Sequence, residues 1–162
     1  MPTERKVNMK KRYYIAYGSN LNIGQMRGRC PGARIIGTSE ILNYHLLFKG
    51  SKTGSYLTIE SQKGSKVPVV AWEITAEDER ALDLYEGYPT FYYKKEMELP
   101  IRGIRTGEVR QRKVFVYIMH EDRVCGIPSE HYLRVCIQGY ESFGFNLDYL
   151  ERALFDSMEA PK

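Results

Sequence analysis

The apolar positions change period several times along the chain, and each change marks an element. Arg12-Tyr-Tyr-Ile-Ala-Tyr17 is β-branched and aromatic and stops at Gly18, which predicts a strand running into a tight turn. A short helical piece is expected from Asn22 to Arg29, closed by Pro31-Gly32. Glu40 to Lys49, Tyr56 to Glu60 and Val67 to Ile74 read as three strands, and Gln62-Lys-Gly-Ser65 carries hairpin composition between the last two.

The pattern then becomes helical. Thr75 is a good N-cap, and Glu77, Asp78 and Glu79 lie in the first turn, where carboxylates meet the positive end of the helix dipole. Ala81, Leu82 and Tyr85 form one face, Gly87 is placed to end the helix, and Pro89 prevents its resumption. Tyr92 to Leu99 and Arg112 to Met119 are strands. Ser129 caps a second helix, with Tyr132, Leu133, Cys136 and Ile137 on one face and its end at Gly139. Asn146 caps a third, with Leu147, Leu150 and Leu154 spaced for burial. Strands mostly follow strands, which disfavours a doubly wound α/β fold. The expected class is α+β, a mixed or antiparallel sheet curled into a small β-barrel with flanking helices.

The chain has 162 residues, of which 43% are hydrophobic. That suits a lead-in over residues 1–11 and one domain over 12–162. No run approaches the roughly 20 apolar residues of a membrane span. With 13 Tyr, 6 Phe and 1 Trp, too much apolar area would be left in water for the chain to stay disordered. Lys and Arg number 24 against 20 Asp and Glu. The excess gathers at Arg5, Lys6, Lys10, Lys11 and Arg12, and again at Arg102, Arg105, Arg110, Arg112 and Lys113. Gly103, Gly107 and Glu108 interrupt the second cluster as a hairpin tip would, so a solvated turn is preferred to a nucleic-acid surface. Cys30, Cys125 and Cys136 are odd in number without a C-x-x-C pair, and Met1-Pro-Thr-Glu-Arg-Lys opens no apolar signal region. The expected compartment is the cytoplasm, with no membrane partner.

Metal and phosphate chemistry find little support. His45, His120 and His131 lie far apart, and neither a Walker-type loop nor a strand–G-x-G-x-x-G–helix is present. Two segments are more informative. Tyr17-Gly18-Ser19-Asn20-Leu21 follows the first strand; Gly18 and Asn20 tolerate positive φ, and such a turn can aim successive amides into an anion-favouring concavity. Leu82-Asp-Leu-Tyr-Glu86-Gly87 places Glu86 at a helix C-terminus, where the dipole raises a carboxyl pKa as a general base near neutrality requires.

Together the two segments resemble the gamma-glutamylcyclotransferase-like family. Arg29-Cys-Pro31, Val70-x-Trp72, Tyr93-Lys-Lys and Tyr132-Leu…Gly139-Tyr…Gly144-Phe…Tyr149-Leu agree, over about residues 12–155. The resemblance implies a small barrel-like mixed sheet and conversion of a gamma-glutamyl amino acid or amine to 5-oxoproline, without metal or organic cofactor. It implies Glu86 as acid/base, Tyr17, Gly18, Ser19, Asn20 and Leu21 as the loop that binds the glutamyl group, and Tyr93, Tyr117 and Tyr132 as pocket residues. Tyr88, Phe91 and Tyr92 are candidates for the leaving-group side. The Tyr-Gly-Ser-Asn form departs from the Tyr-Gly-Ser-Leu of glutathione-specific relatives, which speaks against glutathione as substrate. The alternative is a non-catalytic small-ligand-binding or interaction module on the same fold. A homodimer stays open.

Overall fold

Five strands close on themselves. In the computed structural model, which describes residues 11–51 and 54–160, these are β1 (Arg12–Ala16), β2 (Arg34–Ser51), β3 (Gly54–Ile74), β4 (Tyr92–Gly103) and β5 (Val109–Met119). The order β3-β1-β5-β4-β2 returns to β3, so the mixed sheet is a barrel, with the short β6 (Val124–Cys125) paired to β2. Only β1 and β5 run parallel; the other pairings are antiparallel. Among the described residues four α-helices flank it: α1 (Ile23–Arg29), α2 (Ala76–Glu86), α3 (Glu130–Ser142) and α4 (Asp148–Glu159). The α+β barrel expected from the pattern is the architecture found. The expected lead-in lies, Lys11 aside, outside the described residues.

Ile15, Phe48, Leu57, Ile59, Ile74, Phe115 and Ile118 are all fully buried in the core. Each such side chain contributes roughly 1.5–3 kcal/mol by leaving water. No helix of the described residues is long and apolar enough to cross a membrane.

The strands differ from the expectation in one respect. Residues 56–60 and 67–74 belong to a single strand, β3, and the segment 62–65 does not reverse the chain. Leu42 pairs with Lys66 and Tyr44 with Ser61, so Asn43 alone faces four residues across a bulge. Asn43 takes φ +64 and Gly64 φ +87, and the Gly64 amide donates to Asn43 Oδ1 at 3.0 Å. Turn-type residues here serve a bulge, which bends the strand and lets β2 and β3 pair along their whole length. The antiparallel pairing of β2 with β3 reaches Ser51 opposite Gly54. β2 also starts earlier than expected, at Arg34, because Ile35, Ile36 and Thr38 extend the β-branched run.

Helix α2 begins and ends as its sequence predicts. Thr75 Oγ1 accepts from the Asp78 amide at 3.1 Å and Asp78 Oδ2 from the Thr75 amide at 3.1 Å, a reciprocal capping box. Gly87 closes it at φ +63. Helix α3 does not stop at Gly139 but continues to Ser142. In α4, Leu150 is buried as expected, whereas Leu147 stays 38% exposed at the cap position.

Candidate active site

The loop after β1 is built inward. Ser19–Leu21 forms one 3-10 turn, with the Leu21 amide donating to Gly18 O at 3.1 Å and the Asn22 amide to Ser19 O at 2.9 Å. Asn22 then caps α1 by accepting from the Gln25 amide at 3.1 Å. Ser19, Asn20 and Leu21 are buried. Among the hydrogen bonds of the described residues, none uses the amides of Gly18, Ser19 or Asn20 as donors. Three successive amides therefore carry no hydrogen bond among the described residues.

The positive φ anticipated for this turn is absent. Gly18 has φ −125, and Asn20 is not among the residues with positive φ. What Gly18 provides is closeness: a Cβ there would stand 3.3 Å from the Tyr132 hydroxyl and 3.4 Å from Leu57. Asn20 acts as a clamp. Its Nδ2 donates to the Tyr14 hydroxyl at 2.9 Å, its Oδ1 accepts from Arg29 Nη1, and its carbonyl accepts from Trp72 Nε1 at 3.2 Å. A buried amide so fully partnered holds the backbone beside it in one conformation.

Glu86 meets this loop across a cavity of about 370 Å³, the smaller end of ligand-site volumes. The cavity is lined by Tyr17, Gly18, Ser19 and Asn20 from the loop, by Tyr14 and Ile15 of β1, and by Leu84 to Gly87 at the end of α2. Tyr56, Leu57, Phe91, Tyr92, Tyr117 and Tyr132 complete it. Although Glu86 as a residue is half-buried, protein surrounds its carboxyl, and burial pushes its pKa from the ordinary 4.5 up to about 8. The Arg29 guanidinium opposes that shift. The helix dipole invoked from sequence is not needed, since loss of water contact is the larger effect. Among the described residues no hydrogen bond reaches the carboxyl.

The tyrosines around it stay protonated. Burial first, and the Glu86 charge second, raise Tyr14, Tyr17 and Tyr92 well above the usual phenol value. Their hydroxyls scaffold the cavity. Tyr17 donates to Tyr117 O at 2.7 Å, Tyr92 to Leu57 O at 2.9 Å, and Tyr132 accepts from the Leu57 amide at 3.0 Å. Tyr117 donates to Asp83 Oδ1 at 2.6 Å, and Lys94 holds Asp83 at 2.9 Å. Arg29 Cζ lies 3.2 Å from the centre of the Tyr85 ring, which places a cation beside the cavity wall.

Of the residues singled out from sequence, Glu86, Tyr17, Gly18, Ser19, Asn20, Tyr117 and Tyr132 come together around this one cavity. Leu21 does not line it; it is fully buried beneath the loop. Tyr93 lies elsewhere, its hydroxyl donating to Glu121 Oε2 at 2.5 Å. Strand alternation explains this. Lys94 pairs with Tyr117 across β4 and β5, so Tyr92 shares the Tyr117 face and Tyr93 points the other way. Phe91 and Tyr92 do line the cavity, whereas Tyr88 packs edge-on to Tyr117 under Lys94. The sequence pattern gave no site role to Tyr14, Tyr56, Leu57 or Tyr85; period-two phasing with Tyr117 is a signal for Tyr14, which is in register with Phe115. The basic residues 102–113 sit on the β4–β5 hairpin, where Arg110 pairs with Glu108 at 3.3 Å and Arg112 donates to the Tyr13 hydroxyl at 3.0 Å.

Comparison with known proteins gives the family and the fold. The sequence model of the family described as gamma-glutamyl cyclotransferase, AIG2-like, matches residues 14–134. A gamma-glutamylcyclotransferase from Homo sapiens is 27% identical over 146 residues, spanning 86% of this chain and 75% of that protein. A solved structure titled gamma-glutamyl cyclotransferase superposes with a TM-score of 0.75 at 24% identity, covering 89% of this chain and 86% of that one. The crystal structure of an uncharacterised protein from Homo sapiens gives a TM-score of 0.74 at 25% identity, covering 88% and 86%.

Proposed function

The chain belongs to the gamma-glutamyl cyclotransferase, AIG2-like family, and from that premise we propose that it converts a gamma-glutamyl amino acid or amine to 5-oxoproline and the free amino acid or amine. The observation that carries this reading is one cavity lined both by Glu86, whose carboxyl burial pushes up to about 8, and by Gly18, Ser19 and Asn20, whose amides have no hydrogen-bond partner among the described residues.

The chemistry needs no protein nucleophile. The substrate's own α-amine, in its neutral form, attacks the γ-carbonyl carbon; a carbon–nitrogen bond forms and the carbonyl electron pair moves to oxygen. Glu86, ionised, takes the proton that the attacking nitrogen must lose. It then returns that proton to the leaving nitrogen as the original amide bond breaks and the carbonyl re-forms. Intramolecular attack removes much of the entropic barrier once the chain is folded back on itself. The free amides of Gly18, Ser19 and Asn20 hold the glutamyl group and the developing oxyanion. Where measured, one such donor is worth about 3–4 kcal/mol. Tyr117 and Tyr132 shape the walls, and Leu21 and Tyr93 lie outside the cavity. A reducing compartment such as the cytoplasm suits the free thiols of Cys30, Cys125 and Cys136.

The test is 5-oxoproline release by wild type beside Glu86→Gln, with circular dichroism to compare the folds. Release by wild type and loss of at least a hundredfold in the folded variant is the expected result. An equal rate in the variant would refute the assignment of Glu86.

A further inference from the structure

The floor and the mouth of the cavity differ in character. The floor holds Glu86 and the loop amides, so a gamma-glutamyl group seated there sends its leaving side outward. The mouth is apolar: Leu84 is 85% exposed, Tyr85 44% and Tyr56 37%, and half-buried Phe91 adjoins them. The Tyr56 ring stands edge-on to Phe91 at 6.5 Å and to Tyr132 at 5.1 Å, which makes a connected wall rather than scattered surface side chains. Glu86 is the only charged side chain lining the cavity among the described residues. Contiguous apolar surface beside a site, left in water by the fold itself, is contact area for a ligand.

Two guanidinium groups border this wall from outside. Arg29 lies on Tyr85, already engaged by Asn20. Arg123 lies over Phe91, with Cζ 4.8 Å from the ring centre, and its Nε is buried without a hydrogen-bond partner. With the Nε closed off beneath the ring, the terminal nitrogens, which take no hydrogen bond among the described residues, are the atoms open to an anion. A cationic leaving group would meet both guanidinium groups, each of which already takes one ring face, of Tyr85 and of Phe91. A small leaving group would leave the wall in water.

Resting on the cyclotransferase reading, we propose that the mouth is a leaving-group subsite for α-amino acids with large apolar side chains. The side chain packs on Leu84, Tyr56 and Phe91, and the α-carboxylate meets Arg123. The preferred substrates are thus gamma-glutamyl derivatives of leucine- or phenylalanine-like amino acids.

The experiment measures kcat/KM on the full chain from 5-oxoproline release. The substrates are gamma-glutamyl-phenylalanine, -leucine and -alanine, gamma-glutamyl-ε-lysine, and the gamma-glutamyl amide of phenethylamine, which lacks the carboxylate. The phenylalanyl and leucyl substrates are expected to exceed the alanyl and lysyl ones by roughly tenfold or more. Leu84→Ser should narrow the phenylalanine-to-alanine ratio several-fold, and Arg123→Gln the phenylalanine-to-phenethylamine ratio. Turnover that favours alanyl or lysyl substrates, or ratios unmoved by these variants, overturns this inference and leaves the cyclotransferase reading standing. No 5-oxoproline from any substrate removes both.

Discussion

A Cβ on Gly139 would stand 2.7 Å from the carbonyl carbon of Leu21 and 2.8 Å from the Asn22 amide nitrogen, so α3 meets the site loop backbone to backbone. The neighbouring Tyr140 reinforces the contact, its hydroxyl donating to Tyr17 O at 3.0 Å. The loop is thus held at both its ends, Tyr17 and Leu21, by a helix from the far part of the chain.

Gly139→Ala should therefore act on both fold and site. A methyl group has no room against backbone, so a loss of about 1–3 kcal/mol is expected, read as a lower midpoint in urea. Because the atoms displaced belong to the loop, 5-oxoproline release should fall further than the unfolded fraction accounts for. A variant with unchanged midpoint and rate would contradict the contact.

Asn20→Ala strips partners from Tyr14, Gln25 and Arg29 at once. Each buried polar group left alone costs about 1–3 kcal/mol, though the cavity lets water recover part of it. The KM for a gamma-glutamyl substrate is expected to rise at least tenfold, since the amides lose their fixed direction. Steady-state kinetics on the folded variant decide this.

Tyr92 and Tyr93 make a paired test of the strand facing. Tyr92→Phe leaves the buried Leu57 carbonyl without its donor and should cost about 1–3 kcal/mol, with a clear drop in turnover. Tyr93→Phe removes only an exposed contact to Glu121, so stability should stay within about 0.5 kcal/mol and the rate close to wild type. The reverse ranking would mean that Tyr93, not Tyr92, faces the substrate.

Glu86 should leave a signature in stability as well as rate. Below its ordinary value of 4.5 the group is neutral in both folded and unfolded chains. Between 4.5 and about 8 the unfolded chain ionises while the folded one resists, so stability falls as pH rises and the loss is complete above 8. The effect is of order 3 kcal/mol, allowing for water reaching the cavity. Denaturant midpoints from pH 4 to 9 should show this fall in wild type and a flatter curve in Glu86→Gln. The kcat/KM profile should climb with pH toward an inflection near 8, because the base must be ionised.

Much of the barrel was legible beforehand because its strands are long in β-branched and aromatic residues and its helices carry capped, amphipathic patterns. The loop Tyr17–Leu21 and Glu86 were legible for a different reason, since their residue types and order are unusual together. The errors share a cause. Gln62–Ser65 looks like a hairpin, and Gly139 looks like a helix stop, because glycine and small polar residues permit several conformations locally. Which one forms depends on the neighbour: Asn43 across the bulge, Leu21 beneath the helix.

By itself the sequence determined the class of fold, the helix caps around Thr75 and Gly87, and the two segments that could carry chemistry, because these follow from local propensity and periodicity. Only the tertiary structure decided that those segments share one cavity, that Tyr92 faces it while Tyr93 does not, and that burial raises the Glu86 carboxyl. Each depends on residues far apart in the chain excluding water from the same small volume, which no local pattern encodes.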